Sequence, residues 1–211
     1  MEGVILKKFI LFSLFSVVFL SACSDSEVET MSQFGNEIQE YSVTNQNDET
    51  VTDEDMEGKV WLLDFIFTNC ATVCPPMTAN MTHLTQELED QGIDDYGVLS
   101  FSVDPERDTP EALSQYISYY EVPEDTEWHL VTGYDHDFIR SFAEKNFKTI
   151  VAPAPQGSDQ VTHATSFYLI DSEGTIRKSY PGLDQGDKGF PVEEIVDDVD
   201  SLTAEIDNNE Q

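Results

Sequence analysis

Apolar positions along the chain fall into two kinds of pattern, continuous runs and helical stripes. Residues 59–67, Lys-Val-Trp-Leu-Leu-Asp-Phe-Ile-Phe, are apolar almost throughout and rich in β-branched and aromatic types. That composition predicts a strand buried on both faces, and residues 96–103 predict a second one. Between them Met77, Met81, Leu84 and Leu88 recur at helical spacing, with Gly92 as the stop. A helix over 110–120 follows. Thr109 is its natural cap with Pro110 at the first helical position, although Asp108 with Glu111 also fits a capping box. A short strand over 128–132 precedes a helix over 135–146 that carries Phe138, Ile139 and Phe142 on one side. Residues 151–162 hold two prolines, a glycine and a serine, and read as a long loop. Two strands, 165–170 and 175–180, then flank Asp171-Ser-Glu-Gly174, a hairpin signal. The last helix starts near Val192 and places Ile195, Val199, Leu202 and Ile206 on its apolar face.

Strand–helix alternation closed by a hairpin and a final helix resembles the thioredoxin-like arrangement. The expected class is therefore α/β, a mixed parallel–antiparallel sheet with helices on both faces. The N-terminus reads differently. Lys7 and Lys8 precede an apolar run over 9–20, too short to span a bilayer comfortably and suited to a signal-peptide core. The run ends in Leu20-Ser-Ala-Cys23, which resembles a bacterial lipobox. Residues 1–22 are thus expected to be a lipoprotein signal peptide and Cys23 the lipidated first residue of the mature chain. Residues 23–36 read as a flexible tether, whose thirteen residues after Cys23 reach roughly 45 Å when extended. The domain is expected over 37–207, with an acidic tail over 208–211.

Composition narrows the function classes. With 39% hydrophobic and 11% aromatic residues, the 211-residue chain can bury a core of ordinary size. Its 42 acidic against 10 basic residues give a formal charge of −32, which excludes broad nucleic-acid binding and electrostatic docking on an anionic lipid surface.

With Cys23 assigned to lipid, Cys70 and Cys74 are the cysteines left to the domain, outside the cytoplasm where disulfides persist. Pro75 and Pro76 follow at once. A residue before proline is pushed from helical angles, so Cys74 is expected just ahead of the helix, with both sulfurs on a loop at its N-terminus. Free N–H groups and the helix dipole there favour thiolate and lower the thiol pKa. A bridge across so short a loop would constrain the unfolded chain little, which makes a purely structural disulfide a poor explanation. Two thiolates are soft ligands that select Cu(I) or Zn. Of the four histidines, His83 reads as a surface residue, His129 as structural and His136 as a solvated helix start. His163 closes the proline-rich loop and opens the next strand, and spacing alone leaves its role open. Met77 and Met81 read as core rather than as ligands, and Asp104 and Asp108 as turn and cap residues.

Three blocks resemble the Sco/SenC family of copper-binding lipoproteins. They are Phe65-Ile-Phe-Thr-Asn-Cys-Ala-Thr-Val-Cys-Pro-Pro-Met77, Ser102-Val-Asp-Pro-Glu-Arg-Asp-Thr-Pro110 and Val161-Thr-His-Ala-Thr-Ser-Phe-Tyr-Leu-Ile-Asp171. The resemblance implies a thioredoxin-like fold with an inserted loop, and one copper ion held by Cys70, Cys74 and His163. It also implies help in assembling the dinuclear copper site of cytochrome c oxidase, with subunit II as partner, by copper delivery, by thiol reduction or by both. The setting it implies is the extracytoplasmic face of a bacterial membrane.

The competing reading is a metal-free thiol–disulfide oxidoreductase in which Cys70 attacks and Cys74 resolves. Against it stand the C-x-x-x-C spacing and His163-Ala164 where thioredoxins carry a substrate-contacting proline. A peroxiredoxin reading is weaker still, because the proline and the spacing of that motif are missing around Cys70.

Overall fold

A computed structural model of the chain describes residues 37–209, together with 28, 30, 31 and 34. The predicted signal peptide and Cys23 lie outside the described residues. Seven strands form one mixed sheet: β1 (Ser42–Asn45), β2 (Thr50–Thr52), β3 (Val60–Ile66), β4 (Tyr96–Ser102), β5 (Glu127–Thr132), β6 (Ser166–Ile170) and β7 (Ile176–Pro181). Among the described residues, four α-helices accompany them: α1 (Cys74–Asp90), α2 (Pro110–Ile117), α3 (His136–Phe147) and α4 (Val192–Asn209). Among the described residues, no helix is long and apolar enough to cross a membrane.

The strand order is β2-β1-β5-β4-β3-β6-β7, with β3, β4 and β5 parallel and the remaining pairings antiparallel. Every residue of β3 and β4 is buried, as expected for central parallel strands covered on both sides. The connections β3–α1–β4 and β4–α2–β5 step in the same direction, and their right-handed crossovers place α1 and α2 on one face. Odd-numbered residues of the centre face α3: Phe65 and Phe101 meet Phe147 and Phe142 at centroid separations of 5.4 and 4.7 Å. Helix α4 packs on α1 and β3. This is the thioredoxin-like mixed sheet that the alternation implies.

Close approach of β3 to β4 depends on one glycine. A Cβ on Gly97 would lie 2.4 Å from the Trp61 ring, so only glycine leaves room for the indole. That indole donates to Met56 O at 3.1 Å and stacks on His129, whose imidazole also meets Glu127 and Asn45. His129 is thus a packing residue, as its strand position suggested.

Several boundaries differ from the sequence pattern. The β1–β2 hairpin has no apolar run to announce it; Asn45 builds its turn by accepting from the N–H groups of Asn47 and Glu49, with Asp48 at φ 63°. Helix α2 stops at Ile117, short of residue 120. Thr109 caps α2 by accepting from Ala112 N at 3.2 Å, so the capping box at Asp108 does not form. Asp108 instead accepts from Thr68 N, Thr68 Oγ1 and Ser102 Oγ, while Asp104 makes the expected turn. Helix α4 runs on to Asn209, into the stretch read as an acidic tail.

The described residues of the stretch read as a tether are packed rather than free. Arg177 donates to Val28 O and, at 2.7 Å, to Thr30 Oγ1, while Met31 N donates to Arg177 O at 2.9 Å. Phe34 sets its ring edge-on to Tyr168.

Candidate metal centre

Strand β3 ends beneath the centre, and the chain turns there as Cys70 N donates to Phe67 O at 3.2 Å. Cys74 is then the first residue of α1, not the last of the loop. Met77 N donates to Val73 O at 3.1 Å, closing a first turn around Pro75 and Pro76, whose missing N–H groups have no intrahelical acceptor to lose. The free N–H of Cys74 donates to Cys70 Sγ at 3.3 Å. Preference against helical angles before proline is thus outweighed by the turn and by the sulfur that receives the leftover donor.

His163 arrives from the other side of β3, on the loop that leads into β6. Its Nε2 lies 3.3 Å from Cys74 Sγ, and its Nδ1 lies 2.7 Å from Ala164 O. A carbonyl can only accept, so Nδ1 carries a proton and Nε2 is the ring nitrogen that faces the sulfur. The Phe67 ring meets the imidazole edge-to-face at 5.6 Å and limits its swing. One donor atom from each of Cys70, Cys74 and His163 falls within 4.8 Å of the others, a spacing that a single ion can bridge.

The two thiols differ sharply in acidity. Burial works against ionisation of Cys70, but hydrogen bonds from His163, from the Cys74 thiol and from the N–H groups of Cys74 and Thr72 outweigh it, lowering its pKa to about 6. Cys74 goes the other way. Burial pushes its thiol up, and the hydrogen bond to Cys70 and the neighbouring charges of Cys70 and Asp64 add to the rise. The expectation that the helix terminus activates both thiols is therefore met at Cys70 and corrected at Cys74, because the second sulfur is fully enclosed.

Met77 and Met81 are fully buried in the core and take no part in the cluster, as read from their spacing. His83 is exposed and His136 half-buried, and neither belongs to the cluster. Sequence reasoning passed over Asp64, which lies in the middle of β3 with no exposure and no hydrogen-bond partner at ordinary distance for either oxygen. A lone acid inside an otherwise apolar run was the signal available.

The family model described as SCO1/SenC matches residues 29–201. The chain belongs to the SCO1/SenC family. It is 41% identical over 187 residues to the SCO1 protein homolog of Bacillus subtilis (strain 168), covering 89% of this chain and 92% of that one. A SCO1/SenC family lipoprotein from Bacillus anthracis shares 40% identity at a TM-score of 0.72, over 79% of this chain and 94% of that one. BsSco, a member of the Sco family of cytochrome c oxidase assembly proteins in which a disulfide switch was identified, shares 42% identity at a TM-score of 0.71. That match covers 81% of this chain and 95% of BsSco.

Proposed function

We propose that this SCO1/SenC chain is a membrane-tethered, extracytoplasmic copper carrier. It holds one copper ion on Cys70, Cys74 and His163 and serves assembly of the dinuclear copper site of cytochrome c oxidase, with subunit II as its partner. The observation that carries this reading is the convergence of two sulfurs and one imidazole within 4.8 Å. Such a donor set suits Cu(I), which accepts three soft ligands, and it also accommodates Cu(II). Cys70 is largely thiolate at neutral pH, so it captures the ion first. Cys74 releases its proton as the metal replaces it, and the imidazole supplies the third donor through Nε2. Lipidation at Cys23 is the proposed anchor, in keeping with the lipoprotein character of the Bacillus anthracis relative.

A second reading is supported by the split in thiol acidity. Cys70 thiolate attacks one sulfur of a partner disulfide and expels the other as thiolate. Cys74 then attacks Cys70 in the mixed disulfide, releasing the reduced partner and leaving a Cys70–Cys74 disulfide. Two electrons pass to the partner, and both activities draw on the same sulfurs, which are free thiols here.

The test is an anaerobic copper titration of the reduced chain from Ser24 onward beside His163→Ala and Cys74→Ser. About one copper per chain with sulfur-to-copper(II) charge-transfer absorption is expected for wild type, with binding crippled in both variants. Equal copper retention by His163→Ala rules out the three-donor site. No stable copper alongside a readily reversed disulfide moves the assignment to thiol exchange.

A further inference from the structure

His163 is the one member of the centre that comes from outside the Cys70–Cys74 segment, so its loop decides whether the site is complete. We propose that Gln160 and Asp159 latch the histidine loop onto the cysteine loop, acting as positioning residues that set how long a soft metal ion stays bound. This rests on the reading of the centre as a copper site.

The latch is built from side chains of both loops. The Gln160 side chain pairs with the backbone beside Cys70 in both senses, accepting from Ala71 N at 3.2 Å and donating to Asn69 O at 3.0 Å. A primary amide is the side chain able to accept and donate in this way from one planar group. Asn69 Nδ2 donates to Asp159 Oδ2 at 2.9 Å. Hydrogen bonds from the Gln160 and Asn69 side chains hold the Asp159 carboxyl below its ordinary range. A third anchor comes from the segment after β4, where Arg107 Nη1 donates to Asp104 Oδ2 at 2.7 Å and reaches Asp159 O at 3.5 Å.

The same loop is closed at its base by the Ala152–Thr162 pair, whose reciprocal backbone hydrogen bonds are 2.9 and 3.0 Å. His163 follows that rung directly. Movement of residues 159 and 160 away from the cysteine loop therefore bears on the imidazole next to the rung, while Cys74 stays fixed in α1 and Cys70 keeps its turn onto Phe67 O. The latch contacts are exposed and individually weak, so the loop can open without disturbing the core. A carrier needs that combination, because its third ligand must leave before the cargo can pass to another protein.

The experiment uses the full chain in detergent, wild type beside Gln160→Ala and Gln160→Glu. Anaerobically loaded Cu(I) is transferred to excess chelator, and amide exchange at Ala71 is followed in the metal-free protein. Gln160→Ala is expected to keep one copper per chain but lose it roughly tenfold faster, about 1.4 kcal/mol of lost restraint. Gln160→Glu sets a carboxylate oxygen against Asn69 O and Asp159 Oδ1, so its rate should be at least as fast as that of Gln160→Ala. Ala71 exchange should quicken in Gln160→Ala while the urea midpoint of the metal-free chain stays put. Unchanged dissociation overturns the proposal, and so does a rate change matched by a fall in urea midpoint, which would mark general damage. If wild type holds no copper, the copper reading fails and the residence-time role falls with it. Ala71 exchange then still separates a latch that closes in solution from one that does not.

Discussion

Asp64 offers a quantitative test of how the sheet loads the centre. Its carboxyl is fully buried on β3, on the opposite face from Phe65, and neither oxygen has a hydrogen-bond partner at ordinary distance. Burial raises its pKa from 3.8 to about 6, although the nearby Ser100 hydroxyl and the charge of His163 draw it down. A rise of that size amounts to about 3 kcal/mol against the ionised form. The folded-state pKa lies above the unfolded value. No penalty therefore exists below about pH 4, it grows as pH rises through 6, and it is fully expressed by about pH 8. Asp64→Asn has nearly the same shape and the same lack of partners as the protonated acid, so the variant removes the charge and little else. It should match wild type at pH 4 and exceed it by about 3 kcal/mol at pH 8, or roughly 6–12 °C in Tm for a domain of this size. Urea unfolding of the reduced, metal-free chain from Ser24 onward at pH 4, 6 and 8 reads this directly. A wild-type stability that does not decline between pH 4 and 8 relative to the variant would refute the buried-charge argument.

Alkylation of the reduced, metal-free chain should show Cys70 reacting with a rate that rises with pH through a midpoint at about 6, while Cys74 stays slow to pH 9. Peptide mapping separates the two, and a shared midpoint near 8.5 contradicts the split acidity. Asp108→Ala strips Thr68 N, Thr68 Oγ1 and Ser102 Oγ of their common acceptor and should cost about 3 kcal/mol in urea unfolding; a loss below about 1 kcal/mol means the network is not structural. Gly97→Ala forces a methyl against the Trp61 ring and should cost about 1–3 kcal/mol with a shifted tryptophan emission spectrum. Unaltered emission and stability would show that β3 and β4 can move apart.

What could be read from the chain alone was whatever depends on local periodicity or on covalent neighbours. The uninterrupted apolar runs of β3 and β4 announced central strands because burial on both faces leaves no polar side to alternate. The stripe through Met77, Met81, Leu84 and Leu88 announced α1 and marked both methionines as core, and the Cys70–Cys74 pair announced a reactive centre before any fold was known. Other features depended on groups distant in sequence. The β1–β2 hairpin is short and polar, so its existence rests on pairing with β5 rather than on its own pattern. Asp108 fits a helix cap by spacing, yet Thr68 lies forty residues away and claims its carboxylate once β3 and β4 are paired. The opposite shifts of Cys70 and Cys74 follow from enclosure and from the imidazole delivered by β6, neither of which a C-x-x-x-C spacing encodes. His163 was ambiguous by position alone and joined the centre because β6 runs antiparallel to β3, which brings the start of one strand to the end of the other. Local chemistry selected the candidate groups, and long-range strand pairing decided which of them meet.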